Sequence, residues 1–347
     1  MQTQPAFVIG GHSIAAGVRK TIDLPISVLS DHTPATMPVH VVHGRLAGPT
    51  MFVSAAIHGD EVIGVEIVRR LLRFPSLDRL KGTLLAVPIV NSFGFLNQSR
   101  YLPDRRDLNR SFPGSASGSL AARLAHIFMT EIVSRSDVGI DLHSAAIHRS
   151  NLPQIRVSPS NKDVMALAEA FGAPVILTAK DREGSLRQAA QQVGLDILLY
   201  EAGEGLRFDE FATRAGVSGI LRVMHKLGMV PAKGVSKSKI QSMLASASYW
   251  QRAPAGGLFR AFKTTGELVQ KGDLLGAISD PFGEIETEIT APYGGIIIGR
   301  SVLPFTNEGD GLFHIAKVGE KEDVEATVDG LTSELDDDPI FDEDEII

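Results

Sequence analysis

Cysteine is absent from the 347-residue sequence. Disulfide bonds, zinc sites with thiolate ligands and cysteine nucleophiles are therefore excluded. A chain without cysteine is compatible with a reducing compartment, and we expect a cytoplasmic protein. The first residues, MQTQPAFVIGG, contain neither a basic segment nor a long apolar segment, so we expect no signal peptide.

Long apolar runs are absent as well. No run approaches the ~18–20 residues that a membrane-spanning helix needs, so we expect no membrane partner. No basic stripe with interleaved aromatic residues is present, which argues against a nucleic-acid partner. With 44% hydrophobic and 22% charged residues, the composition is that of a globular protein, and the length indicates two domains.

Negative charge is concentrated at one end of the chain. The formal net charge is −7, but residues 320–347 alone hold 13 acidic residues and one basic residue, a net of −12. The rest of the chain therefore carries +5. We interpret residues 320–347 as a solvated acidic tail. The mildly basic body suits anionic small molecules as ligands.

Up to about residue 235, apolar strands alternate with helices. Strands are predicted within residues 39–44, 50–61, 82–91, 138–145, 174–178 and 196–203. Helices are predicted at residues 61–74, 119–133, 161–171, 184–193 and 209–230. This alternation predicts an α/β fold, with a mostly parallel (mixed) sheet covered by helices on both faces. Chemistry in such sheets sits at the carboxyl ends of the strands.

After about residue 235 the sequence has short strands, many glycines and no helical period. This pattern predicts a small all-β domain. The segments VQKGDLLG and ITAPYGGIII resemble the barrel-sandwich pattern of biotinyl and lipoyl carrier domains. Those carriers need a lysine at a hairpin tip, where this chain has DPFG (280–283), so we predict the shape without the carrier function. The predicted division is 1–235 for the α/β domain (with an N-terminal β segment at 1–45), 236–319 for the all-β domain and 320–347 for the tail.

Three residues at predicted strand ends have the chemistry of metal ligands. His58 and Glu61 stand in HGDE at a strand-to-helix junction, and His143 follows a different strand. Two imidazoles and one carboxylate leave an open position on zinc, as catalytic sites require, although other divalent ions accept the same ligands. Alone, H-x-x-E is more often a surface hydrogen bond, and a lone histidine is more often a core residue. The interpretation depends on all three meeting.

The segment DLNRSFPG (107–114) has the chemistry of an anion site. Asn109 and Arg110 place an amide beside a planar guanidinium, a pair that suits a carboxylate. Asp107 is a candidate to accept a hydrogen bond from a metal-bound imidazole. The alternative is a solvated basic loop.

Two further groups that hydrolysis requires have candidates in the sequence. Arg100, Arg105 and Arg106 precede the anion segment, and one of them could stabilise a developing oxyanion. Glu201, directly after an apolar strand, is the candidate general base, with Glu204 as its rival.

Four motifs together carry a family resemblance. HGDE, DLNRSFPG, DLHSA and LYEAGEG occur in this order and resemble the succinylglutamate desuccinylase/aspartoacylase family, which shares its fold with the zinc carboxypeptidases. The resemblance spans roughly residues 45 to 230, and the β domain also suits the family. The chain departs from the family at Asp60, where asparagine is common. We expect this difference to leave metal binding intact, because Asp60 lies between the ligands.

The resemblance implies a role for each matching position. It implies one zinc ion per chain, held by His58, Glu61 and His143. It implies Asn109 and Arg110 as a carboxylate clamp and Glu201 as general base. Arg100 matches the oxyanion arginine by its place before the DLNR motif, and the two later arginines remain rivals.

The implied activity is zinc-dependent hydrolysis of the amide bond of a small N-acyl amino acid or related amide. The acyl group and the amino acid are not fixed by the sequence, and self-association is compatible with the family. One alternative is a carboxypeptidase or amidase acting on peptides. Another is a non-catalytic binding protein on the same scaffold. A site capped by the β domain would favour small substrates, and an open cleft would favour peptides.

Overall fold

The structure is a computed structural model that describes residues 4–158, 162–318 and 330–335. The strands of its α/β part are β1 (Phe7–Ile9), β2 (His12–Ile14), β3 (Arg19–Val28), β4 (Pro34–His43), β5 (Leu46–Ala55), β6 (Lys81–Val87), β7 (Val138–His143), β8 (Arg149–Val157), β9 (Val175–Thr178) and β10 (Ile197–Gly203). The helices are α1 (Ile63–Leu72), α2 (Ser92–Leu96), α3 (Leu120–Glu131), α4 (Lys162–Phe171), α5 (Leu186–Gln192) and α6 (Glu210–Lys226).

The main sheet is mixed, with a parallel centre. Strands β10, β7, β5 and β6 are neighbours in that order and run parallel. Antiparallel β4 and β3 extend the sheet beyond β6, and antiparallel β8 extends it beyond β10. The predicted α/β fold is therefore confirmed, with the parallel pairings concentrated in the strands that carry the site.

Helices cover both faces of the sheet, which explains the continuous apolar strands. In β5, Met51 and Val53 face a core shared with α1, α4 and α6, while Phe52 faces a second core shared with α3 and α5. Side chains alternate between the two faces of a strand, so both sets must be apolar. Complete burial of a side chain such as Phe52 contributes roughly 1.5–3 kcal/mol.

Short polar side chains cap several of the helices, among them α3, α5 and α6. The hydroxyls of Ser119 and Ser185 accept hydrogen bonds from backbone N–H groups in the first turns of α3 and α5, and the carboxylate of Asp209 does the same for α6. Each cap satisfies a donor that has no partner inside the helix. These caps fix where α5 and α6 start on either side of the strand β10.

The C-terminal part consists of short strands. They are β11 (Met243–Ala245), β12 (Ala247–Arg252), β13 (Gly257–Ala261), β14 (Leu268–Val269), β15 (Leu274–Ser279), β16 (Glu286–Thr290), β17 (Gly295–Ser301), β18 (Phe305–Thr306) and β19 (Gly311–Lys317). Strands β16, β15, β13 and β18 form a second sheet, whereas β12, β19 and β17 continue the main sheet through the pairing of β17 with β8. The division at residue 235 stays a prediction, since strands from both sides share this sheet.

The hairpin tip between β15 and β16 is a turn stabilised by its own aspartate. The carboxylate of Asp280 accepts hydrogen bonds from the backbone N–H groups of Glu284 and Ile285, at 2.8 and 2.9 Å. Asp280 therefore stabilises the turn, near the position where the carrier domains hold their lysine.

Part of the acidic C-terminal segment packs on the body. Of the predicted tail, residues 320–329 and 336–347 lie outside the described residues, while residues 330–335 are helical. Leu331 and Leu335 are buried beside Ala215 of α6, and the buried Glu334 pairs with Arg222. These six residues differ from the solvated segment expected, because two leucines one turn apart supply an apolar face. Within the described residues, no helix has both the length and the apolar character needed to cross a bilayer.

Candidate active site

The three expected metal ligands lie at the carboxyl ends of two neighbouring parallel strands. After β5 the chain turns sharply at Ala56, whose φ of 52° is left-handed, and the N–H of Glu61 donates to the carbonyl of His58 at 3.1 Å. This turn brings His58 and Glu61 to the start of α1. His143 is the last residue of β7, which pairs in parallel with β5. Parallel strands end at the same edge of a sheet, so the three side chains meet there.

The carboxylate of Glu61 lies between the two imidazoles. Its Oε1 is 2.6 Å from Nδ1 of His58, and its Oε2 is 2.7 Å from Nδ1 of His143. The ligand atoms of the three residues all lie within 4.8 Å of one another. All three side chains are buried, with 3–4% exposed. The structure thus brings together every ligand named from the sequence.

The outer nitrogen of each imidazole contacts a carboxylate. Nε2 of His58 lies 3.2 Å from Oδ1 of Asp107, and Nε2 of His143 lies 2.8 Å from Oδ2 of Asp141. Ser54 donates to the other oxygen of Asp141 at 2.8 Å. A carboxylate at one ring nitrogen orients the other nitrogen toward a metal, which is the usual arrangement around metal-binding histidines. Asp107 was expected in this place.

Asp141 was missed in the sequence, although a signal for it exists. In a strand, residues two apart point to the same face, so D-x-H in β7 places Asp141 and His143 side by side. A second carboxylate beside a candidate ligand histidine is therefore readable once the strand is assigned.

The electrostatics of the site favour a cation. Burial alone would lower the pKa of His143, but Asp141 and Glu61 raise it well above its usual value. Burial alone would raise the pKa of Glu61, but His58 and His143 hold it below its usual range. Three carboxylates thus surround two imidazoles in a buried place. Two nitrogens, one carboxylate oxygen and this negative surrounding fit a divalent metal ion.

Gly59, between the two ligands of the turn, packs directly on the backbone of the helix α2. A Cβ at this position would lie 1.9 Å from the carbonyl carbon of Gly94 and 2.1 Å from the nitrogen of Phe95. Both neighbours are backbone atoms that cannot rotate away. Any side chain here must displace the HGDE turn or α2.

Gly59→Ala is therefore expected to destabilise the protein by about 2–3 kcal/mol, as overpacking typically does. Thermal unfolding followed by circular dichroism should show a melting temperature lower by roughly 3–5 °C. Gly256→Ala is the control, because a Cβ there meets its nearest atom at an ordinary 3.6 Å. Equal melting temperatures for the two variants would contradict the packing argument.

The anion segment lies in a short 3-10 turn, Leu108–Arg110, capped by Asp107. The side-chain oxygen of Asn109 accepts a hydrogen bond of 2.9 Å from the N–H of Leu186 at the start of α5. This bond fixes the amide and leaves its NH₂ group as the donor available to a ligand. Arg110 lines the cavity into which the candidate site opens. Burial lowers the pKa of Arg110, and the nearby cations Arg182 and Arg100 lower it further, against Asp107.

Of the three candidate oxyanion arginines, Arg100 is the one that contacts the site. Its Nη2 donates to Asp107 at 3.0 Å, and its Nη1 donates to Glu61 at 3.3 Å. Arg105 and Arg106 are exposed, and Arg106 pairs with Asp104 at 3.2 Å. Of the three rivals, Arg100 alone is among the described residues that line the cavity.

Glu201 lies beside the candidate metal ligands, on the next strand. In the parallel pairing of β10 with β7, Glu201 is the direct partner of His143. Its Oε2 accepts a hydrogen bond of 2.9 Å from Asn151, and its Oε1 is 3.6 Å from Nη1 of Arg156. The rival Glu204 instead accepts a hydrogen bond from the backbone N–H of His148 at 3.0 Å. Glu201 lines the cavity, as expected for a group that acts on substrate.

The site opens into a cavity of about 620 Å³ that the C-terminal strands help to enclose. Strands β12 and β19 contribute Trp250 and His314, whose rings stack with centroids 4.7 Å apart. The guanidinium of Arg149, at the start of β8, lies 5.0 Å from the ring centre of Trp250. Burial and then the cations Arg156, Arg182 and Arg149 lower the pKa of His314 to about 3, so this imidazole is neutral. None of these residues was identified from the sequence.

The chain is similar to one family of known proteins. The chain matches the succinylglutamate desuccinylase/aspartoacylase catalytic domain over residues 47–227. It is 27% identical over 312 residues to the N-alpha-acetyl-L-2,4-diaminobutyric acid deacetylase of Halomonas elongata, covering 86% of this chain and 91% of that protein. It is 28% identical over 248 residues to the succinylglutamate desuccinylase of Burkholderia pseudomallei, covering 65% of this chain and 64% of that protein.

Solved structures show the same fold. A succinylglutamate desuccinylase from Silicibacter sp. TM1040 superposes with a TM-score of 0.77 at 26% identity, covering 87% of this chain and 95% of that chain. The product-bound ectoine utilization protein EutE (DoeB) from Ruegeria pomeroyi is similar in fold, with a TM-score of 0.76 at 24% identity and coverage of 86% and 94%. The catalytic-domain match covers more than half of the chain and contains all three metal-ligand candidates. The chain therefore belongs to the succinylglutamate desuccinylase/aspartoacylase family, as the order of its four motifs predicts.

Proposed function

We propose that this protein is a zinc-dependent deacylase that hydrolyses the amide bond of a small N-acyl amino acid. The proposal depends most on one observation: two buried imidazoles share the carboxylate of Glu61, with Glu201 on the adjacent strand. The three candidate ligands would hold the metal, and the carboxylate of Glu201, which is outside that set, would be free to act on the substrate. Family membership supports it, since the relatives described above are a deacetylase and a desuccinylase.

His58, Glu61 and His143 would hold the metal, and Asp107 and Asp141 would hold the two imidazoles in place. When bound, zinc would polarise the amide carbonyl and lower the pKa of a water molecule. Zinc is the proposal because two nitrogen ligands and one carboxylate are a frequent catalytic zinc set, although other divalent ions accept the same donors.

Glu201 would move the protons of the reaction. As general base it accepts a proton from the attacking water, and it then donates that proton to the departing amine. The products are a free carboxylate and a free amino acid, so atoms and charge balance. Asn151 donates to Glu201 at 2.9 Å and so orients the carboxylate for this role.

Arg100, Asn109 and Arg110 would bind and orient the substrate. The guanidinium of Arg100 lies against Glu61 and would donate to the oxygen on which negative charge develops. The amide of Asn109, fixed by Leu186, and the guanidinium of Arg110 would clamp the substrate carboxylate. Holding the carboxylate at this position would bring the scissile amide to the metal group, by which we mean His58, Glu61 and His143.

The wall that the C-terminal part adds to the cavity favours small substrates over peptides. Strands β12 and β19 contribute Trp250 and His314 to that wall. A peptidase of the same chemistry needs a groove that continues past the scissile bond. The non-catalytic alternative leaves unexplained why Glu201 lines the cavity beside the metal group. Cytoplasmic location and self-association stay predictions.

The test is hydrolysis of a substrate panel by zinc-loaded protein. The panel holds N-acetyl, N-succinyl and N-formyl derivatives of several amino acids, together with peptides that have a free C-terminus. We expect turnover of at least one N-acyl amino acid and at least a hundredfold lower kcat/KM for the peptides. Loss of that turnover on chelation, and its return with zinc, should follow.

Preferred cleavage of peptides would replace the deacylase by a carboxypeptidase. Zinc binding without turnover of any panel member would leave the binding-protein alternative.

A further inference from the structure

Asn151, on β8, links the C-terminal strands to the candidate general base. It pairs with Gly203 of β10 on one side and with Gly299 of β17 on the other. Its Nδ2 donates a hydrogen bond of 2.9 Å to Oε2 of Glu201. Strand β17 belongs to the C-terminal part, whose strands β12 and β19 line the cavity. Asn151 therefore lies between that part of the chain and the group that would move the protons.

The side chain of Asn151 occupies space that is free because residue 299 is glycine. A Cβ at Gly299 would lie 2.6 Å from Oδ1 of Asn151, a distance that real Cβ atoms essentially never show. The next nearest atoms are the carbonyl oxygen of Ser150 at 3.4 Å and Cβ of His314 at 3.5 Å, which are ordinary contacts. Any side chain at position 299 must therefore displace the amide of Asn151.

The glycine on the other side of Asn151 has a different role. A Cβ at Gly203 would meet Cδ1 of Ile63 at 2.3 Å, and Asn151 is not among its three nearest atoms. The φ of Gly203 is 68°, so a substitution there is also strained in its backbone. Gly299 is outside the set of described glycines with positive φ, so its backbone accepts alanine. Of the two glycines, Gly299 is the one that makes room for the amide.

The contact between Asn151 and Glu201 is the one that breaks when a Cβ is added at position 299. The clashing atom is the far end of a rotatable side chain, and the backbone nearby is at an ordinary distance. Asn151 can turn away at little cost in stability, but its Nδ2 then leaves the carboxylate. Glu201 keeps the longer contact with Arg156, whose Nη1 is 3.6 Å from Oε1. The fold would survive this change, whereas the aim of the carboxylate would not.

We propose that Gly299 is a positioning residue for the reaction: it makes room for Asn151, and Asn151 aims the carboxylate of Glu201. The C-terminal part thereby sets the general base as well as contributing to the cavity wall. This inference rests on the proposed function, in which Glu201 moves the protons. Hydrogen bonds to charged groups are stronger than those between neutral groups, and misplacing a reacting group by about 1 Å can cost roughly 10²-fold in rate.

Gly299→Ala should lower kcat by about 10–100-fold and change KM by no more than about twofold, since Asn109 and Arg110 are untouched. Zinc content should stay at the wild-type level, and the melting temperature should fall by at most about 2 °C, because Asn151 turns away. Gly256→Ala is the matched control in the same part of the chain, where a Cβ meets its nearest atom at 3.6 Å. Its kcat should equal that of the wild-type protein. An unchanged kcat in Gly299→Ala would overturn the inference.

A double-mutant cycle shows whether the effect passes through the amide. Asn151→Ala removes both Oδ1 and Nδ2, so it should lower kcat by a similar factor. In that background Gly299→Ala should lower kcat by no more than about twofold further, because the two changes break the same contact. Losses that multiply in the double variant would mean that Gly299 acts by another route, and the inference would fall.

A spectroscopic measurement separates this inference from the deacylase. The chain has six asparagines, so selective ¹⁵N labelling of asparagine gives few side-chain signals, and Asn151→Ala identifies the signal of Asn151. Glu201→Gln should shift that signal in the wild-type background and leave it in place in the Gly299→Ala background. Equal shifts in both backgrounds would overturn the inference and keep the deacylase. The expected shifts in a protein that hydrolyses no N-acyl amino acid would keep the positioning of Glu201 and reject the deacylase.

Discussion

Replacing Glu201 with glutamine is expected to lower kcat by about 10²–10⁴-fold, the usual contribution of a positioned general base. The amide of glutamine cannot accept the proton of the attacking water, yet it has nearly the shape of the carboxylate. Glu201 lies beside His143 in the sheet but is not part of the metal group, so bound zinc should stay at the wild-type level. Steady-state kinetics with the best N-acyl amino acid and metal analysis of the same preparation measure both effects.

Glu204→Gln provides the control for this experiment. Its carboxylate accepts a backbone hydrogen bond from His148 and is outside the group of described residues that line the cavity. Activity in this variant should stay within a few-fold of wild type. Full activity in Glu201→Gln with normal zinc, or an equal loss in Glu204→Gln, would remove Glu201 from its role.

Replacing His143 with alanine is expected to abolish both zinc binding and turnover. The change removes one of three ligands and leaves the buried carboxylates of Glu61 and Asp141 without their shared partner. Uncompensated buried charge typically costs about 3–5 kcal/mol, so this variant also loses stability. Mass spectrometry of the native protein measures the zinc content, and the substrate panel measures the activity.

Asp141→Asn separates loss of the metal from loss of the fold. Asparagine keeps the size of the side chain but weakens its hold on His143, which should reduce metal affinity by about 10–100-fold. The folded protein should recover activity at high zinc concentration. His12→Ala, which changes an exposed histidine on β2, should keep wild-type zinc content and turnover. Unaltered zinc affinity in Asp141→Asn would show that this carboxylate does not support the ligand.

The three candidate metal ligands were predictable because each stands at or just after the end of a strongly apolar strand. Apolar runs fixed β5 and β7, and residues that follow parallel strands meet at one edge of the sheet. The sequence alone therefore predicts that His58, Glu61 and His143 lie together. The helices α3, α5 and α6 were also predicted, as segments that alternate with the apolar strands.

Other parts of the site depend on contacts that a single sequence does not encode locally. Strand β8 reads RSNLPQIRV, with a proline and several polar residues in place of an apolar run, so the strand and its Asn151 and Arg156 went unrecognised. Trp250 and His314 reach the cavity only because β17 pairs with β8 and joins the C-terminal strands to the main sheet. Such long-range pairing decides which distant side chains share a cavity.

Zinc-dependent hydrolysis is tested most directly by turnover of an N-acyl amino acid as zinc is added back to protein stripped by a chelator. We expect activity to rise in proportion to added zinc and to stop rising at one equivalent per chain, while His143→Ala stays inactive throughout. Full hydrolysis by protein that mass spectrometry shows to be free of metal would contradict zinc dependence.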